Sequence, residues 1–244
     1  MKIFTFFSFI SLLVIILSGC SGNSGGKDGL TGDTLNAREK PVYSENGKLH
    51  YIVEYKDGKA NGRVREYSSN GKIYMDAIYK DDQRNGKCYH YFSNGKPFSV
   101  SHYTNGVKDS VETKYYESGE VLALVPYKND KVQPGLREFK RDGTPVIDNN
   151  SLLISEVDHT ALEGRYYIRV KLSSPRKEVK YYASPQSDPE VRDLLKMSGE
   201  FAIFEISIHP GGFVMKKMIF EAEYKTQMRN TLRLQKFYNL AIDR

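Results

Sequence analysis

An all-β protein is predicted for this chain of 244 residues, and three observations predict it. Eighteen tyrosines stand beside twenty glycines, a composition that favours strands joined by tight turns. A 24-residue period runs through the first half, and apolar residues alternate with polar ones between its turns. The architecture expected is an elongated sheet of 24-residue β-hairpin repeats over 41–147, followed by a small β-sandwich of immunoglobulin-like outline over 148–244.

The period is read from its glycines. Gly47, Gly71, Gly95, Gly119 and Gly143 are each 24 residues apart, and an aromatic stands four residues before each: Tyr43, Tyr67, Tyr91, Tyr115 and Phe139. Eight residues after the first four glycines come Tyr55, Tyr79, Tyr103 and Tyr127. The Asn-Gly pairs, both members of which tolerate positive φ, predict a tight hairpin turn. Strict alternation then puts Leu49, Tyr51, Val53 and Tyr55 on one buried face, with Ile73, Met75, Ala77 and Tyr79, and Val121, Ala123, Val125 and Tyr127, in the same positions. A second turn, Asp57-Gly58 in the first unit and Asp81-Asp82 in the second, returns the chain to the next aromatic. A lone hairpin is marginal in water, so the units must pair side by side.

Alternation assigns His50, Tyr74, Phe98 and Leu122 to the opposite face. That column is the candidate contact surface. The tyrosines at 55, 79, 103 and 127 are expected to pack in the core, and Cys88, in register with Val64 and Leu136, is expected to be a small buried residue.

The pattern Tyr-x-x-Asn-Gly-Lys followed by Tyr-x-Asp-Gly-Lys-x-x-Gly resembles the bacterial variant of the MORN repeat, found in secreted proteins, lipoproteins and proteins described as antitoxins. The resemblance covers about Pro41 to Ile147 and implies a role in protein interaction, with lipid contact proposed for eukaryotic relatives. Later units drift: Ser110 stands where Gly62 and Gly86 predict glycine, and Glu120 and Thr144 replace the lysines at 48, 72 and 96.

Beyond Asp148 the strands lengthen. They are predicted at 152–157, 165–172, 178–183, 200–209, 213–224 and 231–242, with Pro210-Gly211-Gly212 as a turn. One helix is predicted, capped by Asp188, opened by Pro189, and burying Val191, Leu194 and Leu195.

At the other end, Lys2, an apolar stretch from Ile3 to Leu17, and Leu17-Ser18-Gly19-Cys20 have the form of a signal peptide. The last four residues resemble the lipobox of bacterial lipoproteins, which implies cleavage before Cys20 and a lipid anchor on its thiol and amine. An uncleaved spanning anchor is the alternative, but the apolar stretch is shorter than the roughly 20 residues a spanning helix needs. Residues 1–19 are thus expected to be a leader and 20–40 a flexible tether rich in Ser and Gly. Ser21, rather than Asp, beside Cys20 favours the outer membrane.

The formal charge of +6 becomes +5 once Lys2 is removed, and both signs are interspersed. No run of basic residues marks a nucleic-acid surface. The histidines show no metal-ligand spacing, and no nucleophile elbow or phosphate loop occurs, so no cofactor, metal or catalytic residue is expected. Asp57, Asp81, Asn105 and Asn129 recur in loops without the clustered acids a calcium site needs. The function expected is non-catalytic binding or scaffolding in the cell envelope, with the membrane as one partner through Cys20 and an envelope protein or glycan as the other. The alternatives are an immunity protein that neutralises a toxin and an envelope enzyme acting on glycan.

Overall fold

The computed structural model describes residues 38–209 and 211–243. The predicted leader, Cys20 and most of the predicted tether lie outside the described residues, as does Pro210.

Twelve strands form the first sheet: β1 (Glu39–Tyr43), β2 (Leu49–Lys56), β3 (Lys59–Tyr67), β4 (Ile73–Lys80), β5 (Gln83–Tyr91), β6 (Pro97–Thr104), β7 (Val107–Lys108), β8 (Ser110–Tyr115), β9 (Val121–Lys128), β10 (Lys131–Val132), β11 (Arg137–Phe139) and β12 (Pro145–Val146). They pair antiparallel in chain order, with β7 a short extension beside β6 and β10 beside β9. β1 begins at Glu39, inside the segment read as tether.

Each unit has two kinds of turn. At the Asn-Gly turns the glycine alone takes positive φ, 75° at Gly47, 77° at Gly71 and 84° at Gly95. Gly47 N–H bonds to Ser44 O, Ser44 N–H to Lys48 O, and the Asn46 carboxamide oxygen accepts from the Ser44 hydroxyl at 2.6 Å. This is a type I turn closed by a left-handed glycine, not the predicted turn with both residues at positive φ. The doubly positive turns lie at the other end, at Asp57-Gly58, Asp81-Asp82, Asn105-Gly106 and Asn129-Asp130. There Asp and Asn occupy the left-handed region that few other side chains tolerate.

One face of this sheet is buried along a row that crosses strand after strand. Val53 pairs with Val64, Val64 with Ala77, Ala77 with Cys88 and Cys88 with Ser101, and Glu112 pairs with Val125 farther along. All seven are buried. Small side chains dominate because the roof over them comes from the same face: Tyr55, Tyr79, Tyr103 and Tyr127 lie alongside, Tyr103 fully buried and the others half-buried.

Eight further strands complete the fold: β13 (Leu152–His159), β14 (Arg165–Leu172), β15 (Lys180–Pro185), β16 (Asp193–Leu194), β17 (Lys196–Ser198), β18 (Phe201–Ser207), β19 (Phe213–Lys225) and β20 (Thr231–Asp243). They form two four-stranded sheets, β13-β14-β18-β17 and β16-β15-β19-β20, that share one core containing Ile168, Val170, Phe220 and Ala222, each 0% exposed. This is the expected sandwich in its layering.

The predicted helix after Asp188 does not form. Tight turns run from Pro185 to Val191, Asp193 and Leu194 pair with β15, and both Val191 and Leu194 are exposed. Arg192 decides the local conformation: its guanidinium lies 3.9 Å over the Tyr182 ring and donates to Glu221 at 2.6 Å and Glu223 at 3.1 Å. A seven-residue helix has too little intrinsic stability to compete with those contacts. The one helix among the described residues, α1 (Thr160–Glu163), is a single turn ended by Gly164.

Residues of the repeat sheet and sandwich bond directly. Asn230 and Thr226 donate to the buried Glu138 carboxylate at 2.6 and 2.7 Å, Lys114 reaches Asn230 at 2.8 Å, and Leu136 packs on the sandwich core. The last hairpins are therefore capped by the sandwich, as the end of a repeat array requires.

Candidate binding surface

The candidate column is built by a bulge that recurs in the four hairpins turned at Gly47, Gly71, Gly95 and Gly119. Val42 pairs with Tyr51 but Tyr43 with Leu49, Glu66 with Met75 but Tyr67 with Ile73, His90 with Ser99 but Tyr91 with Pro97, and Lys114 with Ala123 but Tyr115 with Val121. The extra residues are His50, Tyr74, Phe98 and Leu122. A bulge sends two consecutive side chains to the same side and reverses the alternation beyond it.

The face assigned from alternation is therefore corrected. His50 lies against Tyr51, ring centroids 4.1 Å apart, and 3.7 Å from Glu66; Tyr74 meets the His90 edge at 5.7 Å. Glu66 and His90 both pair with Met75, so these side chains share the face of the buried row. Leu49, Ile73 and Val121, expected inside, pass to the other face with Tyr43, Tyr67 and Tyr115, as Pro97 does with Tyr91. No periodicity count shows this, because the bulge leaves the 24-residue spacing unchanged.

The column remains accessible at its middle. Tyr74 is 48% exposed and Phe98 45%, whereas Leu122 is half-buried. Each exposed ring is fixed from the side: Tyr74 by His90 at 70° and Phe98 by Phe92 at 5.2 Å and 81°. Burial, reinforced by the charges of Arg84 and Lys108, lowers the His90 imidazole below its usual 6.5, so at neutral pH the edge facing Tyr74 is uncharged. A cleft of about 410 Å³ opens beside His50 and Tyr74, rimmed by Asn46, Lys48, Glu66 and Ser68. The Lys48 ammonium there donates to Ser69 O of the next turn at 3.2 Å.

That lysine contact is itself repeated. Lys72 reaches Ser93 O at 2.5 Å and Lys96 reaches Ser118 O at 2.6 Å, so each Asn-Gly-Lys turn is tied to its successor. At the opposite tips, Asp82 accepts from Ala60 N–H at 2.7 Å and Asp130 from Lys108 N–H at 2.8 Å. The recurrent turn acids thus serve backbone conformation and inter-repeat bonding. Among the described residues no group of three or more His, Cys, Asp or Glu side chains is placed to hold a metal ion.

Farther along the same face the charges are paired. Arg84 lies 4.9 Å over Tyr103 and Lys108 4.5 Å over Tyr127. Glu112 accepts from Lys108 at 2.8 Å and from Ser101 at 2.9 Å. Burial alone would raise the Glu112 carboxyl, but the Lys108 bond and charge, the Ser101 hydroxyl and Lys114 hold it below the ordinary carboxylate range. Cys88 is wholly buried, and burial pushes its thiol to about 11, leaving it an unreactive packing residue at neutral pH. A second cleft, of about 360 Å³, lies where β11 and β12 meet β20, but its charged residues Arg137, Glu138, Asp148 and Arg233 are engaged internally.

Four segments, 41–57, 60–81, 84–105 and 108–129, match the MORN repeat variant. Over 41–129 the sheet is thus an array similar to MORN-variant repeats. No curated protein matches the chain. The four matched segments carry the four bulge residues and both exposed rings, and the array is the kind of repeat module that serves binding or scaffolding. Among the described residues no helix is long and apolar enough to cross a membrane.

Proposed function

We propose that the chain is a non-catalytic binding module of the bacterial cell envelope, held on a membrane by lipid at Cys20, and that it engages an envelope protein or glycan through His50, Tyr74, Phe98 and Leu122. One observation carries the reading: the repeat hairpins set these four side chains at regular steps, with the Tyr74 and Phe98 rings half exposed and each backed by a second ring. A rigid ring held in place loses little conformational entropy on binding. Lipid at Cys20 would add confinement, which raises the effective concentration of the module toward any partner near the same membrane. The Leu17-Ser18-Gly19-Cys20 sequence supports that anchor.

In-cell crosslinking of the tagged chain, followed by mass spectrometry, tests the proposal. The expected result is one dominant crosslinked species that weakens in both Cys20→Ala and the double variant Tyr74→Ala/Phe98→Ala. Retained lipid labelling in Cys20→Ala would overturn the anchor, and an unchanged crosslink in the double variant would overturn the surface.

A further inference from the structure

The aromatic column has a pitch, and the pitch constrains its ligand. Successive members sit two strands apart in the sheet, about 9.5 Å from one to the next. The two central rings are both half exposed, and each is held edge-on by a second ring, so they form fixed steps on one face. A protein hot spot usually centres on a single desolvated pocket, whereas this surface repeats a modest step. The ligand it fits is itself a repeating, extended chain.

Charge narrows the class. Beside Tyr74 the cleft offers hydroxyl, carboxamide, imidazole and carboxylate groups, and one ammonium, Lys48, which donates to Ser69 O. His90 is uncharged at neutral pH. With one cation, Lys48, and one anion, Glu66, on its rim, the cleft carries no excess positive charge and favours a neutral polar ligand over a phosphate-bearing one. Aromatic faces with hydrogen-bonding groups at their edges suit pyranose rings, which carry apolar C–H faces and equatorial hydroxyls. In a β-1,4-linked chain successive rings alternate in orientation, so a given ring face recurs once per disaccharide, a length comparable to the step of the column.

We propose that the column of His50, Tyr74, Phe98 and Leu122 binds a linear β-1,4-linked glycan, with one disaccharide per repeat and sugar faces stacked on Tyr74 and Phe98. This rests on the binding-module reading above and names the ligand class of the same surface.

The test is calorimetric titration of the full chain in detergent with a β-1,4-linked N-acetylglucosamine hexasaccharide. Binding is expected. Tyr74→Ala and Phe98→Ala should each weaken it about five- to tenfold, the scale of one aromatic contact, while Tyr74→Phe and Phe98→Tyr should retain it. The disaccharide, which reaches a single step, should bind roughly tenfold more weakly or worse. An α-1,4-linked glucose hexasaccharide should not bind. Length and linkage dependence are read on the unaltered chain, so they decide the matter even if an alanine variant fails to fold. No binding of the hexasaccharide, equal binding of the α-linked chain, or equal affinity for the disaccharide would each overturn the glycan assignment. A crosslinked protein partner that still depends on Tyr74 and Phe98 would then leave the binding-module reading standing; loss of that dependence as well would end both.

Discussion

The repeat sheet and the sandwich reach burial by opposite routes. In the sandwich, two sheets cover one another, and large side chains such as Phe220 and Ile168 are fully enclosed. In the repeat sheet, a single layer roofs its own small residues with tyrosines and cations from the same face, and its apolar cluster is built of Val53, Val64, Met75, Ala77, Cys88 and Tyr103. The first solution is global, because both layers must form before either is dry. The second is local, because each hairpin leans only on its neighbours, and so it can be extended unit by unit and leaves aromatic edges exposed.

The largest effect should expose this difference. Phe220, in edge contact with Phe204 and Tyr238, should cost about 3–5 kcal/mol as Phe220→Ala, and Met75→Ala only about 2 kcal/mol, both by urea unfolding. Hydrogen exchange should show Met75→Ala loosening β4 and β5 while β14 and β19 stay protected. Equal loss of protection in the sandwich would break the distinction.

Next comes the buried charge cluster on the sandwich. Glu221, 1% exposed, accepts from Arg192 and Gln235 at 2.6 Å and from Arg233 at 2.5 Å. Glu221→Gln leaves the Arg233 guanidinium without its carboxylate partner, while Arg192 keeps Glu223, and should cost about 3 kcal/mol. Because Arg233 also donates to Val132 O of the repeat sheet, the same variant should raise exchange at β10, a coupling that Met75→Ala should lack.

A gain is expected in the repeat sheet. Ser110 is held at φ 95°, where Gly62 and Gly86 take 131° and 122°. Ser110→Gly relieves a left-handed side chain and should stabilise by about 0.5–1 kcal/mol, with β8 and β9 showing the slower exchange.

The narrowest effect is confined to acid. Glu112 has a lowered folded-state pKa, so the stability it contributes is complete above its ordinary 4.5 and is lost as pH falls from there through the lower folded value. Acid unfolding followed by tyrosine absorbance should show that dependence, and Glu112→Gln should flatten it.

Much of the repeat was legible in the chain. The glycine period placed the hairpins and Cys88 was read as a small buried residue, whereas Ser110, read only as drift of the later units, proves to be held at positive φ. The faces of the strand starts were not legible, since a bulge keeps spacing while reversing orientation. Arg192 misled for a related reason: the Pro189 start and apolar spacing favoured a helix, but its partners Glu221 and Glu223 are distant in sequence.

What the sequence determined by itself was therefore everything set by neighbours along the chain: the all-β class, the turn positions, and the period that makes each hairpin alike. Tertiary structure decided the rest: the face reached by His50, Tyr74, Phe98 and Leu122, the edge-on backing of the two exposed rings, and the sandwich cap on the last hairpins. Turn chemistry is a property of a few consecutive residues, whereas register, bulges and buried ion pairs are fixed only when strands remote in sequence compete for the same hydrogen bonds.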